Sequence, residues 1–181
     1  MKALMIRFAL IFLLVGLALA PLAHCDAADV NTLRSADGQF QLIVPKGWEA
    51  KDFHLETVQI GAINKQLDEY AEVIAENRAD YTNSLQEYAD GKRDTMAMSL
   101  DNPRLSAGEH VKVNGVDGLR YEIHGQLPNS KVSIGYTLTI FKSGTHYIQV
   151  VAWTQESHFS QRVAELQNLP AGFSENSDAQ K

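Results

Sequence analysis

The chain has 181 residues, of which 22 are acidic and 16 basic, giving a formal net charge of −6 at pH 7. An acidic chain with scattered basic residues argues against binding nucleic acid or an anionic membrane through bulk charge. Its single cysteine, Cys25, lies near the amino end. The rest of the chain therefore has no disulfide, thiol nucleophile, iron–sulfur site or Cys-x-x-Cys pair.

Residues 1–27 have the order of a secretory signal peptide. Lys2 and Arg7 give a positive end, an apolar run follows from Phe8 to Ala20, and small residues cluster at Ala23, Cys25, Ala27 and Ala28. Cleavage after Ala27 fits the small-residue rule. The rival reading is a lipoprotein: Leu22-Ala23-His24-Cys25 resembles a lipobox, with Cys25 acylated and His24 where a small residue is usual. Both readings place the protein outside the cytoplasm, periplasmic or secreted, and membrane-anchored only if Cys25 carries lipid. No second apolar run approaches the ~20 residues of a membrane span. Cleavage leaves 154 residues with 14 basic and 21 acidic side chains, a net of −7, which is enough chain for one domain with its own core.

Residues 28–38 are polar, without periodicity, and read as a linker into a domain over 39–173. Phe40, Leu42 and Val44 alternate with polar or outward positions, and Pro45-Lys46-Gly47-Trp48 stops the run, which predicts a strand ending in a turn. Leu55–Ile63, rich in Thr, Val and Ile, predicts another strand. Lys65–Asn77 fits two patterns. Leu67, Tyr70, Ala71 and Ile74 have helical spacing, whereas Tyr70–Ala75 reads equally as a strand closing a hairpin across Lys65-Gln66-Leu67-Asp68. Thr82, Asn83 and Ser84 offer an N-cap to a helix over 84–99, with Leu85, Tyr88, Ala89, Lys92, Met96 and Leu100 at helical spacing. Gly91 weakens that helix, and Asp101-Asn102-Pro103 ends it.

From Arg104 the pattern is β. A strand over 105–113 meets Asn114-Gly115, a type I′ hairpin signal because both residues tolerate positive φ. Gly118–Gly125 follows, then a turn at 127–130. A long strand over 131–142 places Val132, Ile134, Tyr136, Leu138 and Ile140 on one face. After Ser143-Gly144-Thr145, the most apolar strand runs from His146 to Thr154. Ser157 is the expected cap of a final helix with Phe159, Val163 and Leu166 inward, stopped by Leu169-Pro170. Residues 174–181 read as a disordered polar tail.

The matching pieces are Phe40-x-Leu42-x-Val44-Pro45-x-Gly47-Trp48, Ser84-Leu85-x-x-Tyr88-Ala89, Val113-x-Gly115, Gly118-x-x-Tyr121, and Gly144-x-x-Tyr147-Ile148 followed by Phe159. In this order they resemble the PsbP-like superfamily, especially its bacterial exported DcrB-like branch, over roughly 38–173. The resemblance implies an α+β domain, a mainly antiparallel sheet with helices packed on both faces. It also favours strand for Tyr70–Asn77. Members of that superfamily bind protein partners (photosystem subunits, a nuclear-import GTPase, effector transmembrane segments) and as a group are not enzymes.

The residues themselves supply no catalytic motif. Gly-x-Ser-x-Gly, Ser-x-x-Lys and phosphate-cradling loops are absent. His54, His110, His124, His146 and His158 have no His-Glu-x-x-His spacing, although His124 and His146 could approach Glu122 or Glu109, so no metal or cofactor is expected. Asp68, Glu69, Glu72 and Glu76 read as a solvated charged face. Tyr88, Tyr121, Tyr136, Tyr147, Trp48 and Trp153 supply rings of the kind interfaces use, most of them expected in the core, and Trp48 with its loop is the candidate partner-binding residue. The expectation is a non-enzymatic envelope binding or accessory protein with an envelope protein partner. The alternatives are a hydrolase or a small-ligand carrier with a site built from scattered residues.

Overall fold

The computed structural model describes residues 29–176. The expected cleavage site at Ala27 and the lipidation candidate Cys25 lie outside the described residues, as do residues 177–181 of the tail. In chain order the elements are β1 (Val30–Arg34), β2 (Phe40–Pro45), β3 (Glu49–Ala50), β4 (Val58–Asn64), β5 (Glu69–Asn77), α1 (Leu85–Met98), β6 (Asp101–Leu105), β7 (Glu109–Val113), β8 (Val116–Gln126), β9 (Ser133–Ser143), β10 (His146–Gln155), α2 (Glu156–Asn168) and β11 (Phe173–Glu175).

The large sheet has the order β3-β4-β5-β10-β9-β8-β6, with β7 sharing the β6 side of β8; every pairing is antiparallel. A second, small sheet has the order β1-β2-β11. Alternation along the central strands sends side chains to two separate cores. On one face Val73, Phe141, Ile148, Val150 and Ala152 meet Phe40, Leu42 and Val44 of the small sheet and Phe159 and Leu166 of α2. On the other, Tyr121, Ile123, Leu138, Ile140 and Tyr147 meet Tyr88 and Ala89 of α1. Helices thus cover both faces of an antiparallel sheet, the expected α+β sandwich. Close approach of α2 to the sheet needs Gly135: a Cβ there would lie 2.4 Å from the Phe159 ring.

The stretch over 65–77 that fitted both helix and strand is a strand behind a tight turn, in which Asp68 takes φ +53°. β5 is flanked by β4 and β10, and that pairing overrides helix propensity. The helix expected over 84–99 is α1. Ser84 Oγ accepts from the Glu87 N–H at 3.2 Å, while the Glu87 carboxylate accepts from the Ser84 N–H at 2.8 Å, a complete capping box. Asn114 and Gly115 take φ +50° and +86°, as the type I′ hairpin requires.

Other expectations need correction. The polar linker over 28–38 contains β1, which pairs with β2 from Val30↔Pro45 to Arg34↔Gln41. Backbone pairing holds it while Leu33 alone packs inward, so it has no apolar alternation to detect. At the other end Ser174 and Glu175 pair with β2 rather than begin a free tail, and the Glu175 carboxylate accepts from Ser143 Oγ at 2.9 Å. The strand expected from Leu55 starts only at Val58, because Leu55 belongs to the preceding turn and is exposed. The strand expected over 105–113 is broken: β8 pairs with β6 along one part and with β7 along another. Ser157 does not cap α2. Gln155 occupies the N-cap without a side-chain hydrogen bond, because β10 runs directly into the helix.

Candidate functional site

α1 packs on β8, β9 and β6. Toward β5 and β10 the helix extends Tyr88 and Lys92, and beyond them lie side chains of the sheet and of the loop before β4. The boundary is a hydrogen-bonded cluster around Glu76 on β5. Its carboxylate accepts from Tyr81 Oη and Tyr88 Oη, each at 2.6 Å, and from Lys92 Nζ at 2.7 Å. Tyr88 Oη in turn accepts from Gln149 Nε2 at 2.9 Å, and the Tyr88 ring stacks on Tyr147 with centroids 4.1 Å apart. Burial pushes the Glu76 carboxyl up, but the three donors outweigh it and hold the group below its ordinary value. Its negative charge, through the hydrogen bond, pushes Tyr81 up to about 12.

Beyond that cluster the register puts Tyr70, Trp153 and Tyr136 side by side across β5, β10 and β9. Tyr70 stacks on Trp153 at 5.3 Å and 12°, and Tyr136 lies 5.8 Å from the same indole. Phe53, from the loop before β4, comes within 5.6 Å of Trp153. It reaches there by lying over Gly61, where a Cβ would meet its ring at 2.7 Å and the Lys51 carbonyl at 2.0 Å. All four rings are half-buried.

Glu72 stands among these rings. It follows Tyr70 on the same face of β5 and pairs across the ladder with Gly61 on one side and Val151 on the other. Among the described residues no donor or cation reaches its carboxylate, and burial alone pushes its pKa up. Tyr136 is raised too, first by burial and then by the Glu72 charge beside it. The expected solvated carboxylate face is therefore four different environments. Glu76 is tied into the α1 cluster, Glu72 is desolvated without a partner, Asp68 accepts from Tyr70 Oη at 2.9 Å, and Glu69 points through the sheet and is fully buried.

Glu69 belongs to the opposite face. Arg162 of α2 donates to it through Nε at 2.5 Å and to Glu165 through Nη2 at 2.5 Å. Burial pushes Glu69 up despite that guanidinium. Trp48 lies in this core, 1% exposed, with its indole N–H donated to Glu165 at 3.2 Å. The ring is an anchor under the small sheet. Above this network runs an open groove of about 760 Å³ whose walls include Val30, Ile43, Leu67, Arg162 and Leu169.

The histidines do not converge. His124 pairs with Glu156 at 2.7 Å, His146 pairs with Glu175 at 3.2 Å, and His54, His110 and His158 are exposed. Among the described residues no group of three His, Cys, Asp or Glu side chains could hold a metal ion, and no helix is long and apolar enough to cross a membrane. Of the aromatic residues singled out from the sequence, Trp48, Tyr88, Tyr121 and Tyr147 are buried, and Tyr136 and Trp153 reach the open end. Sequence reasoning missed Phe53 and Tyr70. Tyr70 was legible only once 69–77 was known to be a strand facing β10.

No protein-family model and no curated protein matches the chain. Solved structures do. The cyanobacterial PsbP (CyanoP) of Synechocystis sp. PCC 6803 matches with a TM-score of 0.60 at 13% identity, over 87% of this chain and 99% of that one. The Ran-binding protein Mog1p of Saccharomyces cerevisiae matches with 0.58 at 9%, over 84% and 99%. LpqN of Mycobacterium tuberculosis, involved in cell envelope biogenesis, matches with 0.52 at 10%, over 83% and 86%. At these identities the likeness speaks of architecture, and the chain has the fold shared by PsbP and Mog1.

Proposed function

We propose that this chain is a non-enzymatic binding or accessory protein of the bacterial cell envelope, related to the exported DcrB-like branch, and that it holds a protein partner on the open end of its large sheet. The observation that carries this reading is the half-buried row of Phe53, Tyr70, Trp153 and Tyr136 beside the part of the face that α1 covers. Clustered aromatic rings left partly wet are the composition of interface centres. The leader over 1–27 supports export, with cleavage after Ala27 and a soluble product; acylated Cys25 is the membrane-tethered variant. The intact mass of the mature protein decides between those forms. That Mog1p is a Ran-binding protein and LpqN is involved in cell envelope biogenesis is compatible with a binding role on this fold.

The test is a photo-crosslinking side chain at Tyr70 in the native host. It is expected to give one adduct of defined mass with an envelope protein, lost on Trp153→Ala. The same side chain at Val116, exposed in the β7–β8 hairpin, is the control. No adduct from position 70, or the same adducts from position 116, overturns the reading. A second reading, a small-ligand carrier, rests on the 760 Å³ groove, whose size suits an amphipathic ligand with its polar end at Arg162. A co-purified ligand in native mass spectrometry supports it, and an apo mass from gently lysed host cells removes it.

A further inference from the structure

Glu72 is an anomaly in its surroundings. A carboxylate taken from water normally gains hydrogen bonds or a cation in return. Glu76, four residues along the same strand face, has three donors. Glu72 has none among the described residues, and the residues framing it are mostly apolar or aromatic; the amide of Gln149, on the diagonal across β10, is given to Tyr88 Oη instead. Tyr70 and Ile74 flank it along β5, Val151 sits opposite on β10, and Phe53 fills the space over Gly61. Trp153 and Tyr136 lie on the diagonal in the next row. The missing counter-charge has a place to come from, because the rings around Glu72 stay partly exposed and, among the described residues, α1 packs mainly on β8, β6 and β9 rather than on this end.

We propose that Glu72, framed by Phe53, Tyr70, Trp153 and Tyr136, is the seat for one arginine side chain of the protein partner. The inference rests on the docking reading above and names the chemistry recognised there. A guanidinium suits the site in three respects. It is planar and weakly hydrated, so it stacks against aromatic rings; it pairs with a carboxylate through two parallel N–H donors; and it keeps its charge in a desolvated site. After cleavage the chain's net charge of −7 favours the approach of a cationic partner segment. Glycine at position 61 is then a requirement of the seat, since any side chain there would displace the Phe53 ring.

The test uses the purified protein and three blocked tripeptides, acetyl-Gly-X-Gly-amide with X arginine, citrulline or lysine, followed through the two tryptophan indole N–H signals by NMR. Trp48 is buried in the opposite core and serves as the internal reference. The arginine peptide is expected to shift the Trp153 signal saturably while Trp48 stays still, with citrulline, its neutral isostere, at least tenfold weaker and lysine weaker than arginine. Glu72→Gln is expected to weaken the arginine peptide by about ten- to a hundredfold, the range of a lost charge-assisted hydrogen-bond pair, with its unchanged Trp48 signal showing that the fold is intact. Equal response to citrulline, no response of Trp153, or undiminished binding by Glu72→Gln overturns the seat. If the crosslink from Tyr70 persists in Glu72→Gln while the peptide response is absent, the seat falls and the docking face stands. If the crosslink is absent in the unmodified protein, the docking face itself falls.

Discussion

Glu72 and Glu76 share one face of β5, yet glutamine should destabilise the fold at position 76 and not at position 72. Glu76 accepts two tyrosine hydroxyls at 2.6 Å and Lys92 at 2.7 Å, with its side chain 22% exposed and that of Lys92 26%. Both hydroxyls donate to Oε2 and Lys92 to Oε1, so glutamine can keep the two hydroxyl bonds on its one oxygen, now uncharged, while the Lys92 pairing is lost and an amide N–H₂ faces the ammonium. Hydrogen bonds to charged groups contribute about 1.5–3 kcal/mol each; after allowance for the wet Lys92, Glu76→Gln should cost about 2 kcal/mol at pH 7. Glu72 has no partner to lose among the described residues, so Glu72→Gln should leave stability unchanged or raise it slightly. The pH dependence separates the two mechanisms. The folded-state pKa of Glu76 lies below the ordinary 4.5, so its stabilisation is complete above 4.5 and is lost as pH falls through the lower folded value. That of Glu72 lies above 4.5, so its ionisation opposes folding at pH 7 and that penalty fades as pH falls through the raised value, reaching zero below 4.5. Urea unfolding of the wild type and both variants at several pH values between 3 and 7 measures this directly. A Glu72→Gln variant destabilised by more than about 1 kcal/mol at pH 7 would refute the reasoning, since losses of that size need a lost partner.

Three further outcomes follow from packing. Gly135→Ala drives a methyl group to within 2.4 Å of the Phe159 ring and should cost about 1–3 kcal/mol, read as a lower urea midpoint with little change in slope. Trp48→Ala empties a fully buried site and should cost about 3–5 kcal/mol, whereas partner binding by the remaining folded fraction should be unchanged, which separates an anchor from a contact. Ser84→Ala removes one half of the α1 capping box and should cost about 1 kcal/mol by thermal unfolding monitored with circular dichroism.

The sequence was informative where local chemistry decides. Asn114-Gly115 demanded a hairpin, Thr82-Asn83-Ser84 offered the cap at which α1 starts, and the alternating run of β9 and the apolar run of β10 were visible as such. It was silent where the partner strand decides. β1 is exposed along nearly its whole length and exists because β2 offers it backbone bonds. β5 carries helix-favouring residues and is a strand because β4 and β10 enclose it. The candidate site depends on both kinds of information. Trp153 and Tyr136 stood out as aromatic residues on strands, but their union with Tyr70 and Phe53 follows from register and from one missing side chain at Gly61. Trp48 drew notice for its turn, yet the turn folds it inward, beneath the small sheet.

The most direct test of the docking face is the affinity for the envelope protein crosslinked from position 70, measured by calorimetry for the wild type and for Trp153→Ala. An aromatic residue at the centre of an interface contributes about 2 kcal/mol or more, so the account predicts a loss of about thirtyfold or greater with the fold retained. Affinity unchanged within twofold would contradict it and place the partner elsewhere on the molecule.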